Sequence, residues 1–171
     1  TYSATTGAND TSGGVNSTGA YSLRVQLVST TSADTDDTIA EATALAAPST
    51  TPQIISASIA PDTDVGMYRF TVAANQSVDF DIDTGANGVG GLGSYLRIFD
   101  STGLQLAANN DAAAPGEAVV GFDAYLRYTF ATAGTYYVGV SNATNITYNP
   151  TSGSNDVSGG ANSTGGYQLI V

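Results

Sequence analysis

Apolar and polar positions alternate through most of this chain. Tyr21, Leu23, Val25 and Leu27 alternate with Ser22, Arg24 and Gln26. Tyr68, Phe70 and Val72 share one face of 67–72, and Val78, Phe80 and Ile82 alternate with Asp79, Asp81 and Asp83. A period of two sends successive side chains to opposite faces of an extended chain, so each run reads as a half-buried β-strand. Further strands are expected at 53–60, 94–99, 104–108, 122–130, 135–140 and 166–171. The turn Asp100-Ser101-Thr102-Gly103 makes a hairpin of the strands beside it. Ala133-Gly134 reads as a second hairpin turn, between 122–130 and 135–140. Only 37–45 has helical character, and it is short. About eight antiparallel strands with one wet face fit an all-β sandwich. The connections 84–93, 109–118 and 141–165 are long for hairpins, and binding concentrates in such loops.

The chain also repeats itself. Residues 1–25 and 147–171 align without a gap, with 16 identities in 25. The expected organisation is therefore a tail copy at 1–25, a linker at 26–33 and one sandwich at 34–171. The copy adds an N-terminal strand duplicated from the C-terminal one. It is either the end of a preceding unit in a tandem array of period 146, or a donor strand that completes a neighbouring subunit.

Composition removes most chemistry. The 171 residues include no Cys, His, Trp or Lys, and the basic residues are Arg24, Arg69, Arg97 and Arg127. No Ser-His-Asp triad, thiol nucleophile, disulfide, Schiff base or imidazole zinc ligand can be built. The net charge of −11 with four dispersed arginines argues against nucleic acid and anionic membranes. No apolar run approaches the roughly 18–20 residues that span a bilayer. The chain starts at Thr1 with no signal peptide, as a mature product or an excised piece does. Abundant Ser, Thr, Gly and Asp suit an extracellular or cell-surface protein. Carboxylates, hard cations and binding surfaces remain.

Individual motifs are loose. Gly88-Val89-Gly90-Gly91-Leu92-Gly93 matches a dinucleotide loop, but a strand follows where a helix is needed. Asp83-Thr84-Gly85-Ala86 matches an aspartic-peptidase signature in one copy, whereas that chemistry needs two facing carboxylates. Glu41 and Glu117 are not brought together by spacing, so no enzyme is expected. Asp79, Asp81 and Asp83 line one strand face, either solvated or touching a peripheral cation; the run lacks the Gly and Glu of an EF-hand. Asp34, Asp36 and Asp37 crowd one segment, and Asp62 and Asp64 crowd another. Such clusters fit either calcium or a solvated linker with a capping aspartate. Asn9, Asn16, Asn75, Asn142, Asn145 and Asn162 lie in N-x-S/T sequons.

The order of signals from Asp34 onward resembles the bacterial pre-peptidase C-terminal domain family. An acidic patch, Asp34 to Asp37, precedes the apolar stretch 38–45. The D-x-D turn Asp62-Thr63-Asp64 then leads into the strand Met67-Tyr68-Arg69-Phe70. After it come SYLRIFDSTGLQLAANND, AYLRYTF, the strand Gly134 to Val140 and the closing segment Ser163 to Val171. The resemblance implies a jelly-roll-like, non-catalytic β-sandwich of exported proteins, related to the collagen-binding modules of secreted collagenases. Matched residue by residue, it implies Ca²⁺ ligands at Asp34, Asp36, Asp37, Asp62 and Asp64. Two functions follow as expectations. One is a structural or adhesive unit of a surface filament, joined to copies of itself through residues 1–25. The alternative is a substrate-binding accessory module of a secreted peptidase or glycosidase, with an extracellular polymer as partner.

Overall fold

A computed structural model describes residues 35–84, 91–117 and 122–171, all within one unit, Thr31–Val171. Residues 1–25 and Asp34 lie outside the described residues. Among the described residues nine strands follow one another: β1 Thr43–Ala44, β2 Ile54–Ile59, β3 Gly66–Val72, β4 Gln76–Asp83, β5 Ser94–Phe99, β6 Gln105–Asn109, β7 Tyr125–Phe130, β8 Gly134–Asn142 and β9 Gly165–Ile170. They form a five-stranded sheet, β1-β3-β8-β5-β6, and a four-stranded sheet, β2-β9-β4-β7. Every pairing is antiparallel except β1 with β3. The described residues thus form an all-β two-sheet sandwich.

The core is what the alternation demands. Phe70, Phe80, Ile82, Leu96, Phe130 and Leu169 are buried between the sheets. Phe70 meets Phe80 and Phe130 at centroid separations of 5.2 and 5.6 Å, in tilted and edge-on contacts that aromatic quadrupoles favour. A second cluster, Ala42, Val65, Met67, Phe99 and Tyr148, covers part of the other face of the five-stranded sheet. Tyr148 is fully enclosed because residue 139 is glycine: a Cβ there would lie 2.1 Å from the tyrosine oxygen. Burial on both faces therefore extends over Val138–Asn142 of β8 and Gly66–Tyr68 of β3, while Tyr68 to Val72 keep the alternation.

Two expectations are corrected. The stretch 37–45 is not helical, and no helix occurs among the described residues. Thr38 and Glu41 close a turn instead, with Glu41 N–H donating to the Thr38 carbonyl at 3.1 Å. Tertiary hydrogen bonds override local propensity here: Met67 N–H donates to the Asp36 carbonyl, Ile39 N–H to Pro150 and Leu45 N–H to Arg69. The following β1 is a two-residue strand, too short for alternation to reveal.

Nor do the segments around Ala133-Gly134 form a hairpin. β7 pairs with β4 while β8 pairs with β3 and β5, so residues 131–133 cross from one sheet to the other. Both strands carry an apolar face, and Phe130 reaches Tyr136 across the core at 4.5 Å between centroids. Facing one another from opposite sheets lets both faces be buried. The hairpin at 100–103 does form, joining β5 and β6. Asp100 Oδ1 accepts the N–H groups of Thr102 and Leu104, which holds the turn.

Candidate metal centre and binding groove

The outer face of the four-stranded sheet carries the charged chemistry. Pairing sets Ile54 beside Ile170, Ile170 beside Asp81, and Asp81 beside Tyr125. One row along, Asp79 faces Arg127 in a two-pronged ion pair, Nε to Oδ1 at 2.6 Å and Nη2 to Oδ2 at 2.7 Å. The Tyr125 hydroxyl donates to the same Asp79 Oδ1 at 2.7 Å. The Arg127 hydrogen bond holds the Asp79 carboxyl below its usual range, outweighing partial desolvation.

Asp81 behaves in the opposite way. Its carboxyl is pushed up to about 6, first by desolvation and then by the negative charges of Glu117, Asp83 and Asp123. Its Oδ1 is buried without a hydrogen-bond partner. Among the described residues, Asp81, Asp83 and Glu117 form a group whose carboxylate oxygens lie within 4.8 Å of one another. Three hard oxygen donors so placed could hold a metal ion. Asp81 and Asp83 come from alternate positions on β4, a spacing visible in the sequence. Glu117 comes from a loop anchored by Ala112 N–H on the Asp123 carbonyl and closed by Glu117 N–H on Ala114. No sequence spacing signals that approach. The expected solvated face is therefore half-buried and asymmetric.

A groove of about 680 Å³ runs beside this cluster. Pro48, Pro52 and Pro115 stand among its walls, and Tyr125, Arg127 and Ile170 contribute to its lining. A second cleft, of about 460 Å³, lies between the sheet edges and is lined by Tyr128, Phe130 and Tyr136 among others.

Asp36, Asp37, Asp62 and Asp64, which the sequence offered as calcium ligands, sit elsewhere. Asp36 and Asp64 both lie near the buried Tyr167 hydroxyl, whose ionisation their charges oppose. Asp37 Oδ1 accepts Val65 N–H at 3.0 Å, and Asp64 Oδ2 accepts Ala60 N–H at 2.7 Å. The entry to β3 thus gathers Asp36, Asp37 and Asp64. Asp62 turns towards the 155–160 loop, where its Oδ2 accepts Gly159 N–H at 2.7 Å and the Ser158 hydroxyl at 2.9 Å.

Two sequons are closed by the fold. Asn142 and Asn145 are buried, and their amide nitrogens donate to the Asp62 and Thr63 carbonyls. A glycan on either would require that network to open. Asn75 is exposed, at φ 61°.

No curated protein matches this chain. Among solved structures, the pre-peptidase C-terminal domain of collagenase from Bacillus anthracis is 16% identical with a TM-score of 0.47, over 76% of this chain and 94% of that one. PliG of Aeromonas hydrophila, a periplasmic lysozyme inhibitor of g-type lysozyme, is 11% identical with a TM-score of 0.42, over 75% and 95%. The family model of the bacterial pre-peptidase C-terminal domain matches residues 64–142, from Asp64 to the end of β8. That match falls within the stretch from Asp34 onward whose order of signals resembles the same family.

Proposed function

We propose that this chain is a secreted, non-catalytic accessory module that holds an extracellular polymer in the groove on its four-stranded sheet. The family match over 64–142 carries the reading. The groove supports it: proline walls give rigid apolar surface, while Tyr125 and the Asp79–Arg127 pair offer ring and hydrogen-bonding contacts. Retention on immobilised collagen, cellulose and chitin tests it. One of the three should retain the protein, and Tyr125→Ala with Arg127→Ala should weaken retention. If none retains it, the reading fails.

Calcium is the ion we assign to this module, because all candidate donors are hard oxygens. Two places suit it: the entry to β3, where Asp36, Asp37 and Asp64 gather and to which the family resemblance adds Asp34 and Asp62 as ligands, and Asp81, Asp83 and Glu117 beside the groove. A jelly-roll winding of the nine strands belongs to the same reading.

The internal repeat favours a second role, as a building block of a surface filament joined through residues 1–25. Particle size with and without chelator tests this. A compact monomer in both conditions, unchanged by deleting residues 1–30, overturns it.

A further inference from the structure

The fold explains which residues the repeat keeps. Within 147–171, Asn155 and Asn162 hold φ of 66° and 60°, and Gly153, Gly159 and Gly160 hold 60°, 108° and 104°. Such backbone is open to Gly and tolerated by Asn, but costly for most side chains. All five recur in the copy, as Asn9, Asn16, Gly7, Gly13 and Gly14. Four buried side chains of the segment, Tyr148, Tyr167, Leu169 and Val171, recur as Tyr2, Tyr21, Leu23 and Val25.

The differences fall in the complementary places. Ser152, Ser154, Val157, Ala161, Gly166 and Gln168 are all exposed, and all are changed in the copy. Asn149 and Ile170, both half-buried, are also changed, and Pro150 is the one buried position that differs. A segment with no use for this backbone and this core face would have no reason to differ mainly where side chains meet solvent.

What the segment fits is also defined. β9 is not an edge strand: it pairs with β2 from Ile54 to Ile59 on one side and with β4 from Asp81 to Asp83 on the other. Its Leu169 lies between Ile55 and Ile82. Removing the segment would leave a slot with two unpaired strand edges and an uncovered core, which only a strand of the same register and face pattern fills.

From this match we infer that residues 1–25 are a second tail for that slot, carried by one molecule and accepted between β2 and β4 of a second copy of this chain. The backbone ladder supplies the affinity, while Tyr21, Leu23 and Val25 set the register. The proposal does not depend on polymer binding in the groove. Because the resident tail fills the slot between β2 and β4, the copy enters only where that tail is displaced, and the test reads this exchange alone.

Leu169→Asp in the full chain disables the resident tail, and Leu23→Asp disables the copy. Four chains are compared by thermal melting, followed by circular dichroism, and by size in solution: wild type, each single variant and the double variant. The proposal requires Leu23→Asp to melt like wild type. It requires Leu169→Asp to keep a cooperative β-sheet melt while shifting to a dimer or longer assembly, and the double variant to lose the melt. It is overturned if Leu169→Asp unfolds as fully as the double variant, if the double variant stays folded, or if Leu169→Asp folds as a monomer.

Discussion

The hydroxyls of Tyr68 and Tyr167 meet at 2.8 Å inside the sandwich, tying β3 of one sheet to β9 of the other. Burial is the main reason the Tyr167 hydroxyl is raised far above its ordinary range. Gly66 makes the approach possible, since a Cβ there would lie 2.2 Å from the Tyr167 oxygen. Gly66→Ala should therefore cost about 1–3 kcal/mol through overpacking. Tyr167→Phe should cost about 0.5–1.5 kcal/mol for the lost hydrogen bond. The double variant should cost less than the sum, because removing the hydroxyl removes the clash. Denaturant melts of the three variants measure this coupling; strict additivity would contradict it.

Asp81 should make the fold respond to pH against the usual trend for carboxylates. Its pKa rises from 3.8 in a free chain to about 6 in the fold. Below both values the group is protonated in either state and has no effect. Between them the unfolded chain ionises while the fold retains its proton, so stability falls as pH rises, and above about 6 the full penalty applies. In metal-free buffer, Asp81→Asn should be more stable than wild type at pH 7, with the gap closing towards pH 4. Asp79 acts in the opposite sense: its lowered pKa gives stability present at neutral pH and lost in acid. Melting temperatures across that range decide, and a gap independent of pH would contradict the assignment to Asp81.

Ion binding to the folded state raises the melting temperature in proportion to ln(1 + [L]/Kd). Millimolar Ca²⁺ should raise it in wild type, and EDTA should reverse the rise. The part lost in Asp81→Asn combined with Glu117→Gln belongs to the cluster beside the groove. An equal rise in both proteins places the ion elsewhere.

Arg97 lies over two rings, its guanidinium carbon 4.7 Å from the Phe99 centroid and 4.4 Å from that of Tyr148. It also donates to the Tyr148 carbonyl at 2.7 Å and to Gln105 Oε1 at 2.7 Å. Arg97→Lys keeps the charge but loses the planar stack and the fork of donors. We expect a loss of about 1–2 kcal/mol in stability from that change. An unchanged melt would show that the stack adds nothing.

Period-two alternation determined most of this fold from the sequence alone. A strand with one face in the core must alternate, so β2 to β9 were legible with small errors at their ends. The D-x-D turn before β3 and the order of aromatic strands were equally local, and they carried the family resemblance. The duplicated tail needed only the comparison of one end of the chain with the other. Tertiary structure decided what no local signal encodes. It placed β7 and β8 in opposite sheets, because each buries its apolar face against the other sheet rather than against a hairpin partner. It turned 37–45 into a turn and a two-residue strand, because backbone bonds to Met67, Pro150 and Arg69 outweigh a weak helical preference. It brought Glu117 to Asp81 and Asp83 through a loop whose path is set by long-range bonds, so a row of alternating aspartates became one ion-paired residue and one carboxyl pushed up to about 6.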